Sequence, residues 1–170
     1  VKPAFGGTFN SDCLQDMLNL PPEAFDNNFP IQEVSTGLPH IIVPLKSLEY
    51  LKRAIISKEL YFKFIENTWA KNILVFCAQG YTDNHDISVR MFADYLGIPE
   101  DAATGSGNGC LAGYLVEHRY FNSDEIDVKV AQGHEINRPS LLLLRADKQE
   151  NDIRISVGGK VILVAEGKWE

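Results

Sequence analysis

The run Thr104-Gly-Ser-Gly-Asn-Gly-Cys-Leu-Ala-Gly-Tyr-Leu-Val116 decides the fold. From Cys110 to Val116 every residue is apolar or small, so a helix built from them has no polar face and must be buried on every side. Charge returns only at Glu117, His118 and Arg119, which marks the exit of a helix read over 104–120. Outward from it, strands prevail. Upstream, Ile31–Ser35 and His40–Leu45 flank the turn signal Thr36-Gly-Leu-Pro39. Asn72–Cys77 reads as a buried strand and Asp86–Phe92 as an alternating one, with Ile87, Val89 and Met91 on one face. Downstream come strands near 126–132, 139–146 and 151–157, then Gly158-Gly159 as a turn into a last strand, Lys160–Ala165. Three shorter helices are expected: Asp12–Leu20 with Ser11 as cap and Pro21-Pro22 as stop, a stretch opened by Ser47, and Lys58–Trp69. Pro3–Phe9 reads as extended chain and Tyr95–Glu100 as a turn. Many strands and one fully buried helix are reconciled by an α+β fold, a mixed β-sheet curled into a barrel around a central helix.

The 170 residues suit one domain with a real core. A net charge of −7 repels phosphate backbones, so no nucleic-acid partner is expected. No apolar run approaches the ~18 residues of a membrane span. Cys13, Cys77 and Cys110 are odd in number and widely spaced, which fits neither a disulfide framework nor a structural zinc site and points to the cytoplasm. No His/Asp/Glu set has metal-ligand spacing.

The chemistry is concentrated in Pro99-Glu-Asp-Ala-Ala-Thr-Gly-Ser-Gly-Asn-Gly109, which places two carboxylates and two hydroxyls just before the buried helix. Glycines permit close backbone approach, the first helical N–H groups lack intrahelical partners, and the dipole is positive there. Such a helix start can hold a small carboxylate, and an acid beside it can move a proton. The residues alone leave a second reading open, in which Asp101 and Thr104 or Ser106 only cap the helix. A dinucleotide site fits worse: the glycines give GxGxG rather than GxGxxG, and no strand is read before them. Among the other polar residues, His40 is expected to be structural, His85 solvated, His118 a cation favoured by a helix end, and Cys110 a small core residue. His134 is a possible cleft residue, and Arg90 is expected to pair with Glu100 or Asp101.

The segment Asp101-Ala-Ala-Thr-Gly-Ser-Gly-Asn-Gly109 resembles the D-P-A-T-G-S-A-N-G segment of phenazine-biosynthesis PhzF-like isomerases, with Ala102 at the usual proline and Gly107 at a common alanine. The resemblance extends through Ser35–His40, Val89–Ala93, Gln132–Ser140, Val157–Lys160 and Ala165–Gly167. It implies the fold of diaminopimelate epimerase, in which two similar domains, each a sheet curled round a helix, face one another across the active site. Residues 1–170 then form a single domain corresponding to the C-terminal half of such a protein. It also implies a cofactor-independent acid/base isomerase acting on a small carboxylate-bearing metabolite. Asp101 would assist proton transfer and Ser106 would hold substrate. The backbone of Gly105, Ser106 and Gly107 would bind the carboxylate, with Thr104 counted among the substrate-binding residues. Related epimerases carry a cysteine at the place of Thr104, so two-thiol racemisation is not expected. The family's main acid/base glutamate belongs to the preceding domain, so the chain is expected to be catalytically incomplete alone. It would be completed by an N-terminal domain of the same protein or by a second chain, as a homodimer. The competing expectation is a non-catalytic anion-binding or interaction module that lacks the acid/base domain.

Overall fold

The computed structural model describes residues 2–150 and 152–168. Its centre is the helix α4, Gly105–Glu117, in which every residue from Gly107 to Val116 is buried. Five strands lie against α4: β2 (Ile31–Ser35), β3 (Pro39–Pro44), β7 (Glu125–Gln132), β8 (Ser140–Gln149) and β9 (Asp152–Gly159). With β1 (Ala4–Phe9), β4 (Asn72–Cys77), β5 (Ile87–Ala93) and β6 (Ile98–Asp101) they make one nine-stranded sheet, ordered β1-β2-β3-β4-β5-β7-β8-β9. β6 pairs with β5 off this path. The sheet is mixed, with β3 parallel to β4 and β5 parallel to β7 while the other pairs run antiparallel. It is the curled α+β sheet expected from the all-round apolar helix.

Strand periodicity sorts side chains into two cores. Ile42, Leu74, Phe76, Val89 and Met91 point to α4, packing with Leu111, Tyr114 and Leu115. Their neighbours Ile41, Val43, Ile73, Val75 and Phe92 point the other way, onto α1 (Asp12–Leu18), α2 (Leu48–Arg53) and α3 (Lys58–Ile65). Burial on both faces explains why Asn72–Cys77 reads as an unbroken apolar run. The phenol of Tyr114, fully buried, donates to Pro30 O at 2.7 Å, so this tyrosine brings no unpaired hydroxyl into the core.

Several expectations change. α1 stops at Leu18 because Asn19 turns left-handed (φ 52°), and Ser11 makes no side-chain cap bond. α3 stops at Ile65 rather than Trp69. Ser47 does cap α2, accepting from Tyr50 N–H at 3.4 Å. The turn expected over Tyr95–Glu100 contains the short strand β6, whose Asp101 pairs with Met91. Gly158 and Gly159 are not a turn but the end of β9. The strand expected at Lys160–Ala165 does not form: Val161 to Val164 have no sheet partner and stand 72–90% exposed. Hydrophobicity alone made that run look like a strand; a strand also needs a neighbour for its backbone. No described helix is long and apolar enough to cross a membrane.

Candidate active site

Asp101 closes β6, and α4 begins four residues later. Thr104 occupies the N-cap position with extended backbone (φ −109°, ψ 97°), yet its side chain makes no cap bond. The hydroxyl is engaged elsewhere. It donates to Asp101 Oδ2 at 2.6 Å and accepts from Gln132 Nε2 at 3.0 Å. The same Nε2 donates to Asp101 O at 2.8 Å. On its other side Gln132 Oε1 accepts from Thr104 N–H at 3.3 Å and from Asn108 Nδ2 at 2.9 Å. Both donors of the carboxamide face acceptors and its oxygen faces donors, which fixes its orientation. Gln132, Thr104 and Asn108 are all buried.

The consequence falls on the first turn of α4. Asn108 N–H is the first to find a helical acceptor, Thr104 O at 3.0 Å. The N–H groups of Gly105, Ser106 and Gly107 have no acceptor among the described residues, as the start of an uncapped helix requires. Gly105 is exposed, while Ser106 and Asp101 are half-buried. The Ser106 hydroxyl and Asp101 Oδ1 meet no partner among the described residues. The structure therefore leaves a carboxylate oxygen at Asp101, a hydroxyl at Ser106 and the amides of Gly105, Ser106 and Gly107 without partners among the described residues, with Gly105 exposed and Gly107 buried. The Thr104 side chain instead points inward, and only its neighbours' groups are presented.

Beneath this turn lies His40, fully buried. Its Nδ1 sits 2.9 Å from Leu38 O, so in the neutral ring Nδ1 carries the hydrogen and Nε2 the lone pair. Burial lowers its pKa to about 4, against the smaller raising effect of the Leu38 carbonyl. A Cβ on Gly107 would meet Leu74 Cδ1 at 3.0 Å and His40 Nε2 at 3.2 Å. The glycine thus serves close packing of helix on sheet. Cys110, also fully buried, lies 3.7 Å from His40 Nδ1, and burial pushes its thiol upward, as suits a core residue.

The remaining polar residues have structural partners. Arg90 forks onto Glu100 at 2.9 and 2.8 Å and caps the end of α2 through Leu51 O, Lys52 O and Ala54 O. The expected ion pair is therefore with Glu100. His134 stacks on Tyr81 with ring centroids 3.8 Å apart, and Tyr81 donates to Glu135. His85 bonds Thr82 Oγ1 at 3.0 Å. His118 is not the expected helix-end cation. It bonds Gln32 Oε1 at 2.7 Å, and burial lowers its pKa against the raising influence of Glu117. Among the described residues no group of three His, Cys, Asp or Glu side chains is placed to hold a metal. Gln132, the hub of the site, was missed as a functional residue; its only sequence signal was its place in the Gln132–Ser140 segment of the resemblance.

Comparison with known proteins agrees with this fold. A trans-2,3-dihydro-3-hydroxyanthranilate isomerase of Pseudomonas fluorescens is 32% identical over 143 residues, covering 84% of this chain and 48% of that protein. An uncharacterized isomerase of Clostridium acetobutylicum is 28% identical over 170 residues, covering 96% of this chain and 56% of the relative. The chain thus spans about half the length of the curated relatives it matches. A crystal structure of a Bacillus anthracis phenazine biosynthesis protein of the PhzF family superposes with a TM-score of 0.80 at 25% identity, over 94% of this chain and 55% of that one. A predicted epimerase of Pseudomonas aeruginosa superposes with a TM-score of 0.73 at 28% identity, over 96% of this chain and 54% of that one. Residues 6–167 match the family described as phenazine biosynthesis-like protein, and with the curled sheet, the central helix and the uncapped glycine-rich start in place, the chain belongs to the PhzC-PhzF family.

Proposed function

We propose that this chain forms one wall of an isomerase site that moves a proton on a small carboxylate-bearing substrate by acid/base chemistry, without a cofactor. The carrying observation is the uncapped start of α4 beside Asp101. The Thr104 hydroxyl is turned away from the helix, and three free amides remain next to an unpartnered Ser106 hydroxyl. An anion at such a helix start gains about 0.3–1 kcal/mol from the dipole, and up to about 2 when partly desolvated. With the substrate carboxylate on those amides, Asp101 is assigned the transfer of the proton at the reacting carbon, through Oδ1, the oxygen with no partner among the described residues. The relatives named as trans-2,3-dihydro-3-hydroxyanthranilate isomerases support the substrate class, since an anthranilate carries a carboxylate on a ring. The chain covers about half of those relatives, which supports a second wall from an N-terminal domain of the same protein or from another chain, as in a homodimer.

The first test is titration of the chain with anthranilate, followed by amide NMR. Shifts confined to Gly105, Ser106 and Gly107 are expected; signals unmoved at saturation overturn the carboxylate site. The second is Asp101→Asn, assayed for solvent deuterium incorporation into trans-2,3-dihydro-3-hydroxyanthranilate with the chain joined to the N-terminal half of a relative. Asn caps about as well as Asp, so a cap tolerates the change, whereas a proton-transfer group loses about 10²–10⁴-fold in rate. A rate within a few-fold of wild type puts Asp101 back among the structural residues, whereas no exchange by the wild-type fusion favours the non-catalytic anion-binding module.

A further inference from the structure

We propose that Gln132 is a positioning residue that keeps the start of α4 open by holding the Thr104 hydroxyl away from it. This rests on the reading of Gly105–Gly107 as a carboxylate site. Threonine at an N-cap ordinarily turns its oxygen onto the N–H of the second or third helical residue. Here those residues are Ser106 and Gly107, and the oxygen is not on them. Gln132 prevents the turn in three ways. Nε2 donates into Thr104 Oγ1, occupying a lone pair that a cap would use. Oε1 accepts Thr104 N–H and so holds the backbone of the cap residue. Nε2 also holds Asp101 O, which keeps Asp101 Oδ2 within 2.6 Å of the hydroxyl.

A second consequence concerns Asp101. With Gln132 donating into Oγ1, the one hydroxyl hydrogen of Thr104 is committed to Asp101 Oδ2. Oδ2 is then an acceptor whether or not the carboxyl is protonated, and the proton in transit belongs on Oδ1. A fully buried carboxamide from β7 thereby governs both the anion site and the working oxygen of the acid, without touching substrate.

The experiment measures benzoate affinity from the Gly105–Gly107 amide shifts in wild type, Gln132→Leu and Gln132→Leu/Thr104→Val. Freed of Gln132, Thr104 caps its own helix and competes with the anion. The competition is that of an ordinary threonine cap, a loss of about 2- to 30-fold in affinity. Removing the hydroxyl as well restores binding to within about threefold of wild type. Equal affinity in wild type and Gln132→Leu overturns the proposal, as does a double variant no better than the single. If Gln132→Leu does not fold, Gln132→Glu keeps an acceptor for Thr104 N–H and Asn108 Nδ2 and loses the donations. The Thr104 side-chain rotamer, read from three-bond couplings, then moves from its wild-type setting; an unchanged rotamer also overturns the proposal. Wild type that binds no benzoate refutes the carboxylate site, whereas the rotamer measurement still judges Gln132.

Discussion

His40 gives a stability signature that can be worked from its surroundings. It is fully buried; the carbonyl of Leu38, the thiol of Cys110 and Gly107 are around it, and no carboxylate among the described residues pairs with it. Its pKa falls from 6.5 to about 4 on folding. The sign follows from proton binding. Above pH 6.5 the ring is neutral in both states and folding is unaffected. Below 6.5 the unfolded chain takes up a proton that the folded chain refuses, so stability present at neutral pH is lost as pH falls toward 4. Each pH unit in that window removes up to about 1.4 kcal/mol, and the whole window about 3 kcal/mol. Carboxylates titrate in the same range, so the measurement is a comparison. Urea unfolding of wild type and His40→Gln is followed from pH 8 to pH 4.5, and the wild-type free energy should fall more steeply by on the order of 2 kcal/mol. The lowered pKa of His118 acts in the same direction in both proteins and cancels. Parallel curves, or a wild type that gains on His40→Gln as pH falls, would refute the picture of a neutral ring under α4.

Arg90→Met should leave Glu100, 8% exposed at its side chain, without its guanidinium and should cost about 3–5 kcal/mol in chemical denaturation; Arg90→Lys should recover only part, lacking the fork. Gly133→Ala should destabilise by at least about 1–3 kcal/mol, because the residue has φ +80° and a Cβ would sit 2.3 Å from Arg138 O and 2.8 Å from Ala102 O; the same variant should weaken anthranilate binding, since Ala102 adjoins Asp101.

What the sequence disclosed depended on how local the physics was. α4 was legible because an all-round apolar helix has one solution, burial inside something curved. Strands β2 to β5 were legible from turn residues and apolar runs. β6 was not: four residues with a proline at Pro99 carry no strand pattern, and only pairing with β5 defines them. His118 was misjudged because the dipole rule is local, whereas the ring's environment is set by Gln32, 86 residues away in sequence, and by the ring of Phe5. The proposed cluster of Asp101, Ser106 and Gly105–Gly107 could be read at all because its residues are contiguous. Gln132 was legible only as part of the Gln132–Ser140 segment, because its bonds to Thr104 exist only once β7 lies parallel to β5 and brings a residue 28 positions on against Thr104.

The place of α4 in the chain has a kinetic side. On the ribosome it follows β1 to β6 and precedes β7 to β9, which supply much of its wrapping. A helix apolar on every side therefore emerges before residues 125–159 exist to cover it. Until they arrive, only the half-cylinder of β2, β3 and their neighbours shields Leu111, Leu115 and Val116. Closure must then await long-range pairing of β7 with β5, across which α4 is itself the connection. Such non-local closure is slow relative to local helix and hairpin formation and leaves sticky surface uncovered meanwhile. The feature that makes the native barrel well packed thus makes its assembly the step most exposed to misassociation.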